Sequence, residues 1–253
     1  MQRDKLINFI NKTLGFEKDK DPYLFNSLQV IGRDKVKKVA LGVSSSAEMF
    51  QKAADWGADL VILHHGIFGP KINKPIGRVL KKRLKILFDN DLTLLTYHLF
   101  LDRHPELGNN AQIIKKLGAQ KGKQFGKMDK LYWGFEAKFK DPVSISKLIQ
   151  KCKDLCGFSV KAFKYGPEKI KNLAVVSGGG PYLLSEAVDK NLDVYITGEA
   201  RESTEAWAKD AGIHFIYLGH YNSEKFGLQA LGKVIKKKFP GLKIKFIDIP
   251  NQL

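Results

Sequence analysis

Cysteine is scarce in this 253-residue sequence: only Cys152 and Cys156 are present. They lie four residues apart in a stretch that reads as one helix, with no second pair, so neither a zinc module nor a disulfide framework is expected. Both read as reduced core thiols. No apolar run reaches the roughly 18 residues that a membrane span requires, and a membrane-spanning class is excluded on that ground. A signal peptide, with a basic start and an apolar middle, is not seen either. The opening MQRDKLINFINKTLG carries both signs of charge and reads as an amphipathic helix, which makes the cytoplasm the expected compartment. Acidic residues are few, 26 against 43 basic ones, giving a formal charge of +17 that would attract phosphate-bearing partners. The lysines, however, fall in runs such as KVKK, KKRLK and KVIKKK that suit exposed helix faces and strand ends. Arginines interleaved with aromatics, a helix-turn-helix and an RNP-like pattern are all missing, so nucleic acid is a weakly supported partner.

What is present is a globular composition, 43% hydrophobic and 11% aromatic, in a chain long enough for one large domain or two interlocked smaller ones. Short apolar runs alternate with helical patterns: VKKVALGV, AEMFQKAADWG, ADLVILHH, IGRVLKKRLKILFDND, LTLLTYH and NNAQIIKKLG. A less regular zone, AQKGKQFGKMDK, precedes a second series running from LYWGFEAKF through NLAVVSGGG, PYLLSEAVDKN, DVYITGE and STEAWAKDAG to HFIYLGH. A helix, FGLQALGKVIKKKF, and a strand, LKIKFIDIP, close the chain. This alternation predicts an α/β fold with mixed sheets and helices packed outside.

The two series resemble each other. Val43–His65 superposes on Ser177–Glu199 without a gap, placing Asp59 on Asp193, Ala53 on Ala187, His64 on Gly198 and His65 on Glu199. The next strand of each series ends in a histidine followed four residues later by an acid, His98 with Asp102 and His220 with Glu224. Two α/β domains of similar topology follow, one built from residues 1–125 plus 221–253 and the other from 126–220. Ligands of open α/β sheets bind at the carboxyl edge of the strands, where these residues fall.

Collected at those strand ends are His64, His65, His98, Asp102, His220 and Glu224, with Glu199 as a further candidate. Adjacent strand residues point to opposite faces. His64 and His65 can therefore share a task only where the strand ends, and Gly66 supplies the turn. Imidazole and carboxylate without sulfur suit zinc, iron, manganese or nickel, and disfavour calcium and copper(I). Five or six ligands exceed one tetrahedral ion. Two divalent ions about 3.5–4 Å apart would use them all and would activate a water for hydrolysis.

DLVILHHGIF, the YHLFLD segment leading into a glycine–asparagine stretch, and ITGE followed later by GHYNSE resemble the dinuclear-metal family known as GTP cyclohydrolase I type 2, or Nif-three-like. The similarity extends to FNSLQV near the start and to the closing FIDIPN. It implies two interlocked α/β domains, a ring-shaped homo-hexamer and two divalent metals held by His64, His65, His98, Asp102, His220 and Glu224. The activity it implies acts on a small phosphate-bearing substrate, GTP. The chain departs from the family pattern in having VSSS after its first strand, and Leu107-Gly108-Asn109-Asn110 where Gly-Val-Asn-Asp is usual.

Around this set, Glu199 is read as a partner that orients a ligand or as the general base, with an N-cap or surface pair as its plain alternative. Gly178, Gly179 and Gly180 form either a phosphate cradle or, more simply, a tight strand-to-helix turn. Ser44, Ser45 and Ser46 occupy the equivalent turn, where a serine can cap the next helix. Tyr97 and Tyr221 either pack or orient substrate. The leading functional expectation is a metal-dependent hydrolase of a nucleotide-like substrate. Its competitor is a non-catalytic metal-binding ring that recruits nucleic acid or a protein partner.

Overall fold

A computed structural model of the chain describes residues 1–17, 21–70, 75–128, 131–157 and 160–251. In chain order the first elements are α1 (Arg3–Leu14), β1 (Ser27–Val30), β2 (Lys38–Ser44), α2 (Ala47–Asp55), β3 (Leu60–His65), α3 (Arg78–Asp89), β4 (Thr93–Thr96) and α4 (Leu99–Asp102). Then come α5 (Asn109–Leu117), β5 (Gln120–Met128), β6 (Leu131–Ser144), α6 (Ile145–Cys156), β7 (Lys161–Phe163), β8 (Lys169–Val176), a 3₁₀ turn (Pro181–Leu183) and α7 (Leu184–Asp189). β9 (Val194–Thr197), α8 (Thr204–Ala211), β10 (His214–Tyr217), α9 (His220–Ser223), α10 (Lys225–Lys238) and β11 (Lys243–Phe246) complete the chain.

Two compact units result: Met1–Leu101 with Leu228–Ile249, and Asp102–Gly227 with Pro250–Leu253. The second is thus inserted into the chain of the first. Its bounds differ from the sequence-derived 1–125 plus 221–253 and 126–220. α5 buries Ala111, Ile113, Ile114 and Leu117 in the same core as Phe135 and Leu173 of β6 and β8, which puts 102–125 with the second unit. The short α9, within 221–227 for most of its length, also stays there.

The first unit holds a sheet ordered β1-β4-β3-β2-β11, in which β11, β2, β3 and β4 run parallel and β1 is antiparallel at the edge. Leu60, Val61, Ile62 and Leu63 of β3 are completely buried, the continuous apolar run expected of a strand covered on both faces. The second unit holds a sheet ordered β5-β6-β8-β9-β10-β7, parallel across β8, β9 and β10 and antiparallel at both flanks. Caps follow local chemistry. The Ser46 hydroxyl accepts from Met49 N at 3.0 Å to start α2, and the Ser144 hydroxyl accepts from Lys147 N at 3.3 Å to start α6. On α6 the spacing of Ile145, Leu148, Cys152 and Cys156 makes one buried stripe. Neither cysteine is in a disulfide, and burial pushes the Cys156 thiol up to about 12. They are inert core thiols, as their spacing suggested.

Internal similarity extends to the hydrogen bonds. One oxygen of Asp59 accepts from Lys37 N and Lys38 N at 2.7 and 2.8 Å, while one oxygen of Asp193 accepts from Lys171 N and Asn172 N at 2.8 and 2.7 Å. In both units this carboxylate stands just ahead of the middle strand and pins the start of its parallel neighbour. The sequence reading missed β1 and β5 and the length of β6. AQKGKQFGKMDK, taken as irregular, contains β5, whose lysines and glycines hide strand character because its first residues are exposed at a sheet edge. β6 runs on through Asp141 and Pro142, past a register irregularity between Lys138 and Val143 that accommodates the proline. β1 is only four residues long.

Replacing Asp193 with alanine leaves two strand-start amides without their acceptor. The loss is expected to be roughly 1–3 kcal/mol, read as a lower urea midpoint, with Asp193→Asn recovering part of it. An unchanged midpoint would mean that the carboxylate pins nothing.

Candidate metal centre

In the first unit, β3 and β4 are parallel neighbours with Leu63 opposite Thr96, and Tyr97 N continues the ladder by donating to Leu63 O at 3.0 Å. His64, His65 and His98 therefore leave one edge of the sheet together. Their ring centres lie 4.7 Å (His64–His65), 5.0 Å (His64–His98) and 5.5 Å (His65–His98) apart. One nitrogen from each ring lies within 4.8 Å of the other two, close enough to share an ion. Gly66 allows the chain to turn here. A Cβ at that position would collide with Thr96 Oγ1 and lie 2.5 Å from Gln29 Oε1, the oxygen that accepts from Ile67 N and Phe68 N at 2.7 and 3.1 Å.

Each ring is held by its Nδ1. His64, completely buried, donates from Nδ1 to Tyr97 O at 3.0 Å. His98 donates from Nδ1 to Asp21 Oδ2 at 3.0 Å. His65 Nδ1 shares a hydrogen bond of 3.2 Å with Ser44 Oγ, its lateral neighbour in the β2–β3 register. A carbonyl or carboxylate oxygen can only accept. Each of the His64 and His98 rings accordingly carries a proton on Nδ1, which leaves Nε2 as the atom that a cation would take. Asp21 is itself buried, which raises its pKa. Hydrogen bonds from His98, Asn26 and the Tyr23 amide, together with the His98 charge, outweigh that and hold the carboxyl well below the usual carboxylate range.

The second unit has its own cluster. Asp102, at the end of α4, is buried, and its Oδ1 accepts from Asn109 Nδ2 at 2.8 Å and from Ser177 Oγ at 2.7 Å. Asn110 donates to Asp102 O at 3.1 Å and to Trp133 O at 2.6 Å, and accepts from Ser177 N at 2.6 Å. Asn109 and Asn110 thus form a buried bracket around Asp102. His220, at the start of α9, donates from Nδ1 to Glu199 Oε1 in a short bond, and its Nε2 stands 3.2 Å from Oε1 of the buried Glu224. Burial depresses the His220 pKa, but the Glu224 and Glu199 carboxylates more than offset this and push it up to about 9. Without a cation a proton occupies Nε2; a cation on that atom replaces it.

Gly178 makes room for this pair. Its φ of +66° is left-handed, and a Cβ there would collide with Glu224 Oε1 and lie 3.3 Å from His220 Nε2. The three glycines form a turn and not an anion cradle. Gly178 N donates to Ser223 Oγ at 2.9 Å and Gly180 N to Thr197 Oγ1 at 3.2 Å, so two of the three amides are already engaged. Tyr97 and Tyr221 pack: both are buried, and the Tyr97 hydroxyl donates to Asn11 Oδ1 at 2.6 Å.

All six predicted ligands therefore lie in two clusters: His64, His65 and His98 in the first unit, and Asp102, His220 and Glu224 in the second. Glu199 takes the orienting position. The donor set of imidazole nitrogens and carboxylate oxygens, with the rings tethered by Nδ1, fits a divalent cation of the zinc, iron, manganese or nickel type. Sequence reasoning missed Asp21, Ser177 and the role of Asn109. Asp21 meets His98 across 77 residues, and no local pattern announces such a contact.

A family model described as Duf34/NIF3 (NGG1p interacting factor 3) matches residues 1–252. A GTP cyclohydrolase 1 type 2 homolog of Archaeoglobus fulgidus is 38% identical over 228 residues, 90% of either chain. Another so named, from Pyrococcus horikoshii, is 36% identical over 254 residues and the whole of both chains. A solved structure described as protein ybgI, of unknown function, superposes with a TM-score of 0.91 at 33% identity over 100% of each chain.

Gly178→Ala is expected to cost roughly 1–3 kcal/mol through backbone strain alone, with displacement of Glu224 added. Gly179→Ala, whose Cβ would meet nothing nearer than 3.4 Å, is expected to be nearly neutral. Thermal midpoints of the two variants test this, and equal midpoints would contradict it.

Proposed function

The chain belongs to the Duf34/NIF3 family, and we propose that it binds two divalent cations and hydrolyses a nucleotide-like substrate. The observation that carries this reading is the engagement of Nδ1 in all four candidate histidines, by Tyr97 O, Ser44 Oγ, Asp21 and Glu199. Core histidines that serve only packing have no reason to share one orientation. His214, outside the set, is held from both nitrogens by its own strand environment, with Nε2 2.8 Å from Pro167 O and Nδ1 accepting from Gly166 N at 3.2 Å.

The proposed ligands are His64, His65 and His98 in the first unit and Asp102, His220 and Glu224 in the second, the set that the family resemblance implies. When bound, two such cations supply Lewis acidity, making a water more acidic and an electrophilic carbon or phosphorus more reactive. The chain's own groups do the rest. Tyr97 O, Ser44 and Asp21 fix the first three rings, Asn109 and Ser177 fix Asp102, and Glu199 fixes His220. Glu199 is exposed enough to reach substrate, and it is the candidate to move a proton as well as to orient. GTP is the first substrate to test, because the relatives carry the cyclohydrolase name. The same reading makes the protein a cytoplasmic homo-oligomer, hexameric by resemblance. Among the described residues no helix is long and apolar enough to cross a membrane.

Elemental analysis of the purified protein is expected to give two divalent metal atoms per chain. Turnover of GTP or of a phosphoester panel is expected to vanish in His65→Ala and in Glu224→Ala. Asp21→Asn and Glu199→Gln, which touch no ion, are expected to weaken metal affinity by about 10–100-fold in chelator competition. Metal bound without turnover, combined with a salt-sensitive RNA or DNA shift that survives metal removal, would instead favour the scaffold reading built on the +17 charge.

A further inference from the structure

Each unit holds a cavity lined by residues that neighbour its cluster in the chain or belong to the support of it. That of the first unit, 670 Å³, is walled by apolar side chains, and its polar lining is already committed. Gln29 Nε2 donates to Phe25 O and Phe68 O at 2.6 and 2.8 Å, and Asn26 Nδ2 donates to Asp21 Oδ2 and Leu24 O at 2.9 and 3.0 Å. Little remains there to orient a ligand.

The cavity of the second unit is smaller, 150 Å³, and chemically richer. Its walls include Pro181 and Tyr182, which follow the Gly178–Gly180 turn, and Arg201, Thr204 and Trp207, which follow Glu199. The two segments that shape the His220–Glu224 cluster thus continue into this cavity. Trp207 is 58% exposed on α8 while Ala208, its neighbour in sequence, is completely buried. An exposed indole of this kind is a recognition surface more readily than a packing element. The Arg201 guanidinium carbon lies 5.6 Å from the centre of the Tyr182 ring, a stacking distance. Arg201 N donates to Thr204 Oγ1 at 2.8 Å, which anchors the segment. Among the described residues Arg201 forms no ion pair with a carboxylate, although Glu199, Glu202 and Glu205 are close in sequence. A stacked guanidinium presents a fork of donors that matches phosphate.

We propose that this cavity receives the base of a nucleoside phosphate, with Trp207 and Tyr182 stacking on the ring and Arg201 pairing with the phosphate. The inference rests on the hydrolase reading and specifies how its substrate is held. The volume accommodates one ring system and not a whole nucleotide, so the sugar and phosphate run outside it along Arg201. Because aromatic faces stack on any base, the site discriminates nucleotides from other phosphates more than one base from another.

The test titrates adenosine and guanosine 5′-monophosphate into the full chain after chelator treatment, reading tryptophan emission and calorimetric affinity. The emission quench is expected to disappear in Trp207→Ala, in which Trp56 and Trp133 remain. Affinity is expected to fall at least tenfold in Trp207→Ala and in Arg201→Met, while Trp207→Phe keeps most of it. Guanosine, lacking the phosphate, is expected to bind equally well to wild type and Arg201→Met. Affinities unchanged in both variants, or no binding to the wild type at millimolar nucleotide, would overturn the proposal. Since the titration requires no metal, its failure is distinct from failure of the hydrolase reading, which would be seen as absent turnover in the metal-loaded protein.

Discussion

An oxygen beside each Nδ1 is the constraint on which the candidate site depends. An imidazole on an unsupported strand end can rotate and can carry its proton on either nitrogen, so its value as a ligand is uncertain until something fixes both. Here the fixing groups are a backbone carbonyl for His64, a hydroxyl for His65 and carboxylates for His98 and His220. Such partners set the tautomer, aim Nε2 and raise its basicity. Asp21 serves His98 only because its own charge is supported by the amides of Tyr23 and Leu24 and by Asn26.

The fold delivers these groups by repetition. In both units a parallel trio of strands, β2-β3-β4 or β8-β9-β10, is flanked by an antiparallel edge strand, and an aspartate pins the start of the first strand from just ahead of the second. The carboxyl ends of the trio then carry the chemistry. The two copies differ in what they carry. The first presents adjacent histidines, whereas the second presents Gly198 and Glu199 at the same places, and its buried carboxylates come instead from Asp102 at the end of α4 and Glu224 just past α9. Gly198 belongs to the packing: its N donates to Gly178 O at 2.9 Å, tying β9 to the turn that abuts Glu224.

Much of this was legible in the sequence because it is written locally. The alternation of apolar runs and helical patterns, the Ser46 cap and the histidines at strand ends each concern residues within a few positions of each other, and the gapless match of Val43–His65 with Ser177–Glu199 compares two such local patterns. What was not legible depends on distance or on edges. Asp21 reaches His98 from another part of the chain. Asn110 looked like a departure from pattern, and only the contacts of Asn109 and Asn110 with Asp102, Ser177 and Trp133 reveal a bracket. β5 was concealed by an exposed, lysine-rich face, and the unit boundary near residue 102 by the fact that α5 resembles any amphipathic helix until its core partners are known.

The most direct test is an anomalous difference map from crystals grown with zinc or manganese. The account predicts two peaks per chain, with Nε2 of His64, His65, His98 and His220 each about 2.0–2.2 Å from a peak and every Nδ1 still on its oxygen partner. A single peak, none, or coordination through Nδ1 with the Tyr97, Asp21 and Glu199 bonds broken would contradict it.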